Sequence, residues 1–368
     1  MCLRFERTLL WSALSVLAIG TFLVGCRQNT SEPSIPSTRP ANGVTALAVA
    51  SDGSIIAGTG DGLFRSRDDG QNWSHVLPDP PRLVLHGGLA AAPSGYVFAA
   101  TRRGLGCSYD PLQCYSEDIL FRSQNNGETW EPVPVEALYS PVAGLAADSK
   151  GGVFGTYIYD VSGIARSPDN GTTWTRVTSF EGWVPGPWPF DDPAPPVGAL
   201  AVSPGDLVWA ASPFCSQCVW RLADDAEHFT QVFTGLEGMG LVVAGPGRNV
   251  LLAGSEVAHS ADEGVTWRNT GFTTTSSIRA LAMALDGHVF VGTESGGIYR
   301  ASTADYAWIQ LLTNFALEQP YAEVNALVIK PDGTIFAGVN AAGPGLVFRS
   351  RDGGNSWTRS DLMVHLRP

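Results

Sequence analysis

One short stretch, Ser350-Arg-Asp-Gly-Gly-Asn-Ser-Trp357, decides how the rest of the chain is read. Written as Ser-x-Asp-x-Gly-x-x-Trp, it recurs as SRDDGQNW from Ser66 to Trp73, SPDNGTTW from Ser167 to Trp174 and SADEGVTW from Ser260 to Trp267. SQNNGETW, from Ser123 to Trp130, keeps the pattern with Asn125 in the aspartate position. Two further copies have decayed: LADDAEHF, from Leu222 to Phe229, and STADYAW, from Ser302 to Trp308. A pattern returning every 40 to 60 residues or so is a structural repeat before it is anything else.

The residues ahead of each copy complete the unit. The last begins at Val324 as VNALVIKPDG, continues TIFAGVN and GLVFRS, and reaches the tryptophan pattern. The first runs VTALAVASDG, SIIAGTGDG, LFRSRDDGQNW from Val44. Equivalent starts near Leu85, Val142, Val197, Met239 and Ile278 bring the count to seven. Each unit holds four short runs rich in β-branched, aromatic and small apolar residues, cut by turn pairs such as Asp52-Gly53, Ser94-Gly95, Asp286-Gly287 and Asp332-Gly333. Four strands at this period form a propeller blade, so the expected fold is all-β: a single seven-bladed β-propeller of four-stranded antiparallel blades over residues 44–368. The nearly unbroken ALAV-type runs suit an innermost strand A covered on both faces. No further domain and no cofactor is expected, and a monomer is expected.

The tryptophan pattern then falls at the turn between strands C and D. Its Ser and Asp side chains can accept backbone N–H bonds, its Gly can adopt a φ closed to other residues, and its Trp can fill the seam between blades. This gives Asp68, Asn125, Asp169, Asp262 and Asp352, with Trp73, Trp130, Trp174, Trp267 and Trp357, a structural task. The repeats resemble the Asp-box (BNR) repeats of sialidases, sortilin-type receptors, two-propeller xyloglucanases and photosystem II assembly-factor propellers. The resemblance spans nearly all of residues 44–368 and implies the propeller. It implies little about activity, because enzymes and pure binding proteins share the repeat.

With strands in the order A-B-C-D, the A–B and C–D turns share one face, and the B–C loops and D–A connections share the other. The first set is short in every blade. The second varies: Arg102–Ile119 in blade 2, residues 157–160 in blade 3, 213–218 in blade 4, and the connections 179–196 and 312–323. Loops on a rigid scaffold carry binding, so this face is the expected site. The 179–196 connection holds Trp183, Trp188 and Phe190 beside Asp191 and Asp192, a pairing suited to a sugar ring or a protein hot spot. The same residues would equally serve as a proline-stiffened cap packed on its own blades. The positions following strand B in successive blades read Gly60, Arg102, Tyr157, Pro213, Glu256, Glu294 and Asn340. Among them Arg102, Tyr157 and the nearby Asp160, together with Glu256 and Glu294, are the candidate polar pocket.

The sialidase resemblance implies an arginine triad, a Tyr–Glu pair, an acidic Asp and an Arg-Ile-Pro signature, and that signature is absent. Arg65, Arg122, Arg166, Arg221, Arg300 and Arg349 instead recur at one place in strand C, a structural spacing. Glu256 and Glu294, in adjacent blades, could still form the carboxylate pair of a glycosidase, or stand as solvated loop carboxylates. The six histidines show no metal spacing, and no phosphate-cradling loop or nucleophile elbow appears.

At the other end, Arg4 and Arg7 precede an apolar stretch ending Leu23-Val24-Gly25-Cys26, which resembles a lipobox. By that resemblance residues 1–25 are a signal peptide and Cys26 is lipidated, anchoring the chain in the cell envelope facing the periplasm or exterior, the outer membrane if the cell has one. The alternative is an uncleaved membrane anchor, for which the stretch is short. Residues 27–43, rich in Ser, Thr and Pro, read as a tether. In an exported chain, Cys107 with Cys114 and Cys215 with Cys218 suit two local disulfides; a four-cysteine zinc site would need two loops to meet. The formal charge of −12, with Lys150 and Lys330 as its lysines, excludes nucleic-acid binding and docking onto anionic lipid. What remains is a lipid-anchored module binding a protein partner or an extracellular glycan, with a carbohydrate-active enzyme or a membrane-complex assembly factor as alternatives.

Overall fold

The apolar runs that open each repeat become the innermost strands of a closed ring. A computed structural model describes residues 38–78, 83–107, 114–134, 142–157, 163–181 (without 178), 195–212 (without 196), 219–222, 228–233, 240–311, 322–340 and 345–365. The A strands are Val44–Val49, Leu83–Ala91, Val142–Ala147, Ala199–Val202, Leu241–Ala244, Ile278–Met283 and Glu323–Ile329. Each lies beside the next, and the seventh returns to the first. From each, strands B, C and D follow outward in sequence order, antiparallel throughout. The molecule is thus a seven-bladed propeller, and its described residues contain no helix.

The core sits in the seams between blades. Val44, Ile55, Ala57 and Phe64 of blade 1 pack with Ala326, Phe336 and Val347 of blade 7. Trp209 and Val219 of blade 4 pack with Val242, Val250 and Leu252 of blade 5. Strand B is buried along both faces in blades 1, 4 and 5, because a neighbouring blade covers each side. At about 1.5–3 kcal/mol per fully buried large side chain, these seams rather than single hairpins hold the ring.

Blade 4 departs from the four-strand expectation. Ser179–Phe180, at the head of the 179–196 connection, adds a fifth strand parallel to the outermost strand His228–Phe233. Phe180 stacks on Phe229 at 5.0 Å and meets Trp220 edge-on at 5.6 Å. The connection therefore starts on the rim of the blade it leads into.

The first and last described segments close the ring together. Thr38–Pro40 pairs antiparallel with Met363–His365. Ala41, fully buried, donates its N–H to Leu362 (2.8 Å) and accepts from Gly345 (2.7 Å). Asn42 accepts from Gly60 (2.7 Å) and donates its N–H to Asp61 (2.6 Å). Residues 38–43, assigned from sequence to the tether, are therefore part of the folded body. A composition of Ser, Thr and Pro hides a backbone whose hydrogen bonds are made by distant strands.

Candidate binding face

The face carrying the A–B and C–D turns is built for rigidity, and the tryptophan pattern shows how. In blade 1, Gly70 N–H donates to Ser66 Oγ (2.8 Å), Ser66 Oγ donates to Asp68 (2.8 Å), and Asn72 N–H donates to Asp68 (2.8 Å). The same three bonds recur at Ser123/Asn125, Ser167/Asp169, Ser260/Asp262 and Ser350/Asp352. Accepting so many bonds holds Asp68 at a pKa of about 2, chiefly through the backbone and side chain of Asn72. Asp169, Asp262 and Asp352 sit at about 2 likewise, chiefly through Thr173, Thr266 and Ser356. Carboxylates this acidic serve as fixed acceptors and cannot supply a proton near neutral pH.

Two residues per turn are left-handed. Besides the pattern glycine, the residue before it has positive φ: Asp69, Asn126, Asn170, Glu263 and Gly353. Its carbonyl receives the strand-C arginine of the preceding blade. Arg122 reaches Asn170 O (2.8 Å), Arg221 reaches Glu263 O (3.2 Å), Arg300 reaches Gly353 O (2.5 Å) and Arg349 reaches Asp69 O (2.9 Å). Four of the periodic arginines are thus latches between blades, whereas Arg65 turns to Asp52 (2.6 Å) and Ser54 (3.1 Å) of its own blade. Where blade 5 lacks the arginine, the change is matched across its seam. In blade 5, buried His259 takes the arginine position and bonds Tyr306 Oη, which belongs to the decayed, left-handed turn of blade 6. Burial and the nearby Arg268 hold the imidazole pKa below its ordinary value.

The glycine itself sits on the preceding blade. A Cβ at Gly127 would stand 2.5 Å from Ile56, at Gly264 2.5 Å from Trp209, and at Gly354 2.5 Å from Leu311. Further cross-seam bonds join this face, among them Ser51 to Asn126 (2.8 Å), Ser149 to Asp206 (2.7 Å) and Lys330 to Asp69 (2.6 Å). Grooves of about 270 Å³, beside Leu285, His288 and Arg300, and about 340 Å³, beside Arg67, Asn72 and Glu128, open on this side between neighbouring blades.

The opposite face is less regular. Blade 2 carries its most prominent described feature. Strands Val97–Cys107 and Cys114–Ser123 continue to pair past the ring, Arg102 with Asp118 and Arg103 with Glu117, then, after a bulge between Gly104 and Gly106, Cys107 with Cys114. The stretch expected as a loop is instead a β-hairpin extension, roughly 20 Å long at about 3.4 Å per residue. On this face the A strands of blades 1, 3, 6 and 7 also bulge, shifting register at Thr45, Ala143, Arg279 and Asn325. A bulge re-aims a side chain at the end of a strand. Thr45, Arg279 and Asn325 come from consecutive blades 6, 7 and 1, and sequence reading passed over them. The signal was present, as the second or third residue of each A strand, but an extra residue in a run is invisible until its partner strand is registered against it.

Registration also corrects the ring of positions after strand B. Tyr157 pairs with Val142 as Thr59 does with Val44 and Thr293 with Ile278, so Tyr157 ends its strand and does not follow it. In blade 5, Ala253 pairs directly with Val257, which places Glu256 on the strand-C side of a tight turn, whereas Glu294 lies on the strand-B side of its own. The two glutamates have separate partners. Asn269 donates to Glu256 (2.6 Å), and Arg279 pairs with Glu294 (3.2 Å). Bonding from Ser277 and the Arg279 guanidinium holds the Glu294 carboxyl below its ordinary range, opposite to the need of a general acid.

Asp160, Trp183, Trp188, Asp191, Cys26, Cys215 and Cys218 lie outside the described residues, and so do the side chains of Arg102, Tyr157, Cys107 and Cys114. Among the described residues no group of three or more His, Cys, Asp or Glu side chains is placed to hold a metal ion.

No family model matches the chain. A xyloglucanase from a Paenibacillus species is 27% identical over 139 residues, which are 35% of this chain and 13% of that enzyme. Among solved structures, a GH74 xyloglucanase from Xanthomonas campestris superposes with a TM-score of 0.64 at 16% identity, over 86% of this chain and 54% of that one. YCF48 bound to D1 peptide gives 0.58 at 13% identity, over 85% and 94% of the two chains. A streptogramin B lyase gives 0.60 at 11%, over 85% and 95%. The chain thus spans a small part of its curated relative and about half of the GH74 structure. These likenesses define the fold; within it lie both enzymes and a protein that holds a peptide.

Proposed function

We propose that this chain is a lipid-anchored extracytoplasmic binding module, in which one propeller face is a fixed frame and the other receives a protein partner or a glycan. The asymmetry between the two faces carries the reading. Arginine latches and tryptophan-pattern turns bind blade to blade on one side, whereas length, bulges and the projecting blade 2 hairpin vary on the other. A ligand site needs rigid support and variable contacts, and this division supplies both. Trp183, Trp188 and Asp191 in the 179–196 connection, with Arg102, Tyr157 and Asp160, are the residues to which we assign contact. The low pKa direction of Glu294 and the separate partners of Glu256 favour binding over hydrolysis.

The test pairs a glycan array and membrane pull-down with reducing-sugar release from polysaccharides, using the wild-type chain and Trp183→Ala and Trp188→Ala. Binding should weaken in the variants at unchanged melting temperature, with no sugar released. Loss of stability with binding intact would assign the tryptophans to a cap. Sugar release abolished by Glu256→Gln or Glu294→Gln would replace the binding reading with a glycosidase. The likeness to xyloglucanases is the observation that keeps that second reading in the experiment.

A further inference from the structure

The ring closure fixes the place from which the tether leaves the body. Strand D of blade 7, Thr358–Asp361, runs from the tryptophan-pattern turn toward the variable face, and Leu362–His365 continues beyond it. The incoming chain pairs antiparallel with that continuation at Thr38–Pro40. It then crosses at Ala41 and Asn42, which bond Gly345 at the start of one strand C and Gly60 and Asp61 in the B–C turn of blade 1. All of these partners lie on the variable face. Thr38 therefore departs from the B–C/D–A side, at the seam of blades 7 and 1, and Ala41 is too deeply buried for the departure point to wander.

We propose that this clasp turns the variable face toward the bilayer, so that its occupant is a segment of a protein held at the same membrane surface. The inference rests on the lipid-anchor reading of Cys26. Residues 27–37 then separate the lipid from the fold, a span of at most about 40 Å fully extended and roughly 20 Å as a flexible coil. Strand B of blade 7 has six residues, Ile335–Asn340. At about 3.3 Å each, such strands set the two faces roughly 20 Å apart. The tether is thus comparable to the thickness of the disk, and turning the body over would use up its length. The chain's net charge of −12, carried by residues beyond the tether, offers no attraction to anionic lipid. Orientation is imposed by where the tether leaves, and a freely diffusing polymer would meet this face only by entering the narrow space beneath it.

Blade 6 offers one exposed probe position on each face: Leu285 in its A–B turn and Ser295 in its B–C turn. The chain from Cys26, behind a hexahistidine tag, would be captured on phosphatidylcholine vesicles containing a nickel-chelating lipid and a rhodamine-labelled lipid. A donor dye would be attached through an azide-bearing amino acid at position 285 or 295. With the faces about 20 Å apart, transfer from position 295 should exceed that from 285 about twofold. Equal transfer, or greater transfer from 285, overturns the orientation. A photo-crosslinking residue at position 295 in intact cells should capture proteins that partition with detergent, and the same residue at 285 should not. Crosslinks from 295 only to glycans or soluble proteins overturn the assigned occupant. The tag replaces the lipid, so the vesicle arms do not depend on processing in the cell. A native chain whose Cys26 lacks a lipid mass would overturn the anchor reading alone.

Discussion

Alanine at Gly264 separates the two reasons a glycine can be needed in the tryptophan-pattern turn. Gly264 has φ +81°, and its Cβ would stand 2.5 Å from Cη2 and 2.9 Å from Cζ3 of Trp209 in the preceding blade. Trp209 is fully buried and held edge-on against Trp267 at 6.4 Å, so the ring has nowhere to withdraw. Gly333 has nearly the same backbone, φ +85°, with nothing within 4 Å of its Cβ position. Left-handed alanine costs about 1–2 kcal/mol, offset by about 0.4–1 kcal/mol from the stiffer unfolded chain. Gly333→Ala should therefore cost about 0.5–1 kcal/mol. Gly264→Ala adds the overpacking of a core ring, about 1–3 kcal/mol, for about 2–4 kcal/mol in all. Gly70→Ala, 3.3 Å from Phe336 Cε1, should fall between them. Urea unfolding followed by circular dichroism at matched m-values measures the order. If Gly264→Ala costs no more than Gly333→Ala, the glycine serves only backbone conformation and the blade-to-blade packing argument fails.

Arg349→Ala should cost about 1–2 kcal/mol by removing the latch to Asp69 O, and Arg349→Lys should recover little of it; thermal unfolding of both variants reads this directly. The aspartates Asp68, Asp169, Asp262 and Asp352 have folded pKa values of about 2 against an ordinary 3.8. Their contribution is complete above pH 4 or so and is lost as pH falls toward 2, so stability should drop through that window. Asp352→Asn should flatten the drop, since Asn125 already fills the position in blade 2; an unchanged acid profile would refute the assignment. Intact mass of the unreduced chain should lie four hydrogens below the reduced sequence, for disulfides Cys107–Cys114 and Cys215–Cys218, and free thiols or bound zinc would refute the pairing.

The fold was legible because a propeller repeats its physics. Every blade needs the same inner apolar run and tight turns, and six of the seven keep the tryptophan, so Ser66–Trp73 and Ser350–Trp357 announce one architecture around the whole ring. The latch arginines were legible as a structural spacing, though not what they reach, because a carbonyl in the next blade leaves no mark of its own in sequence. The candidate site was much less legible. Tyr157 ends strand B and Glu256 belongs to the strand-C side of its turn, one position from where the repeat spacing puts them, and the bulges at Arg279 and Asn325 leave no mark in the sequence, because a bulge changes register without changing composition. Arg102–Ile119 read as a loop for a related reason: its glycines and cysteines break the apolar period, yet the backbone pairing continues.

Local chemistry thus determined by itself the all-β class, the number of blades, the form of the C–D turns and which face varies. All of these follow from turn residues and apolar periods a few positions apart. Only the tertiary structure decided how the ring is fastened: that Arg349 reaches Asp69, that His259 and Tyr306 exchange roles with the arginine latch as a pair, and that Ala41 and Asn42 belong to the folded body. The Arg349 and Ala41–Asn42 contacts cross the closing seam, where closure of the ring brings distant parts of the chain within bonding distance; His259 and Tyr306 meet because neighbouring blades pack face to face.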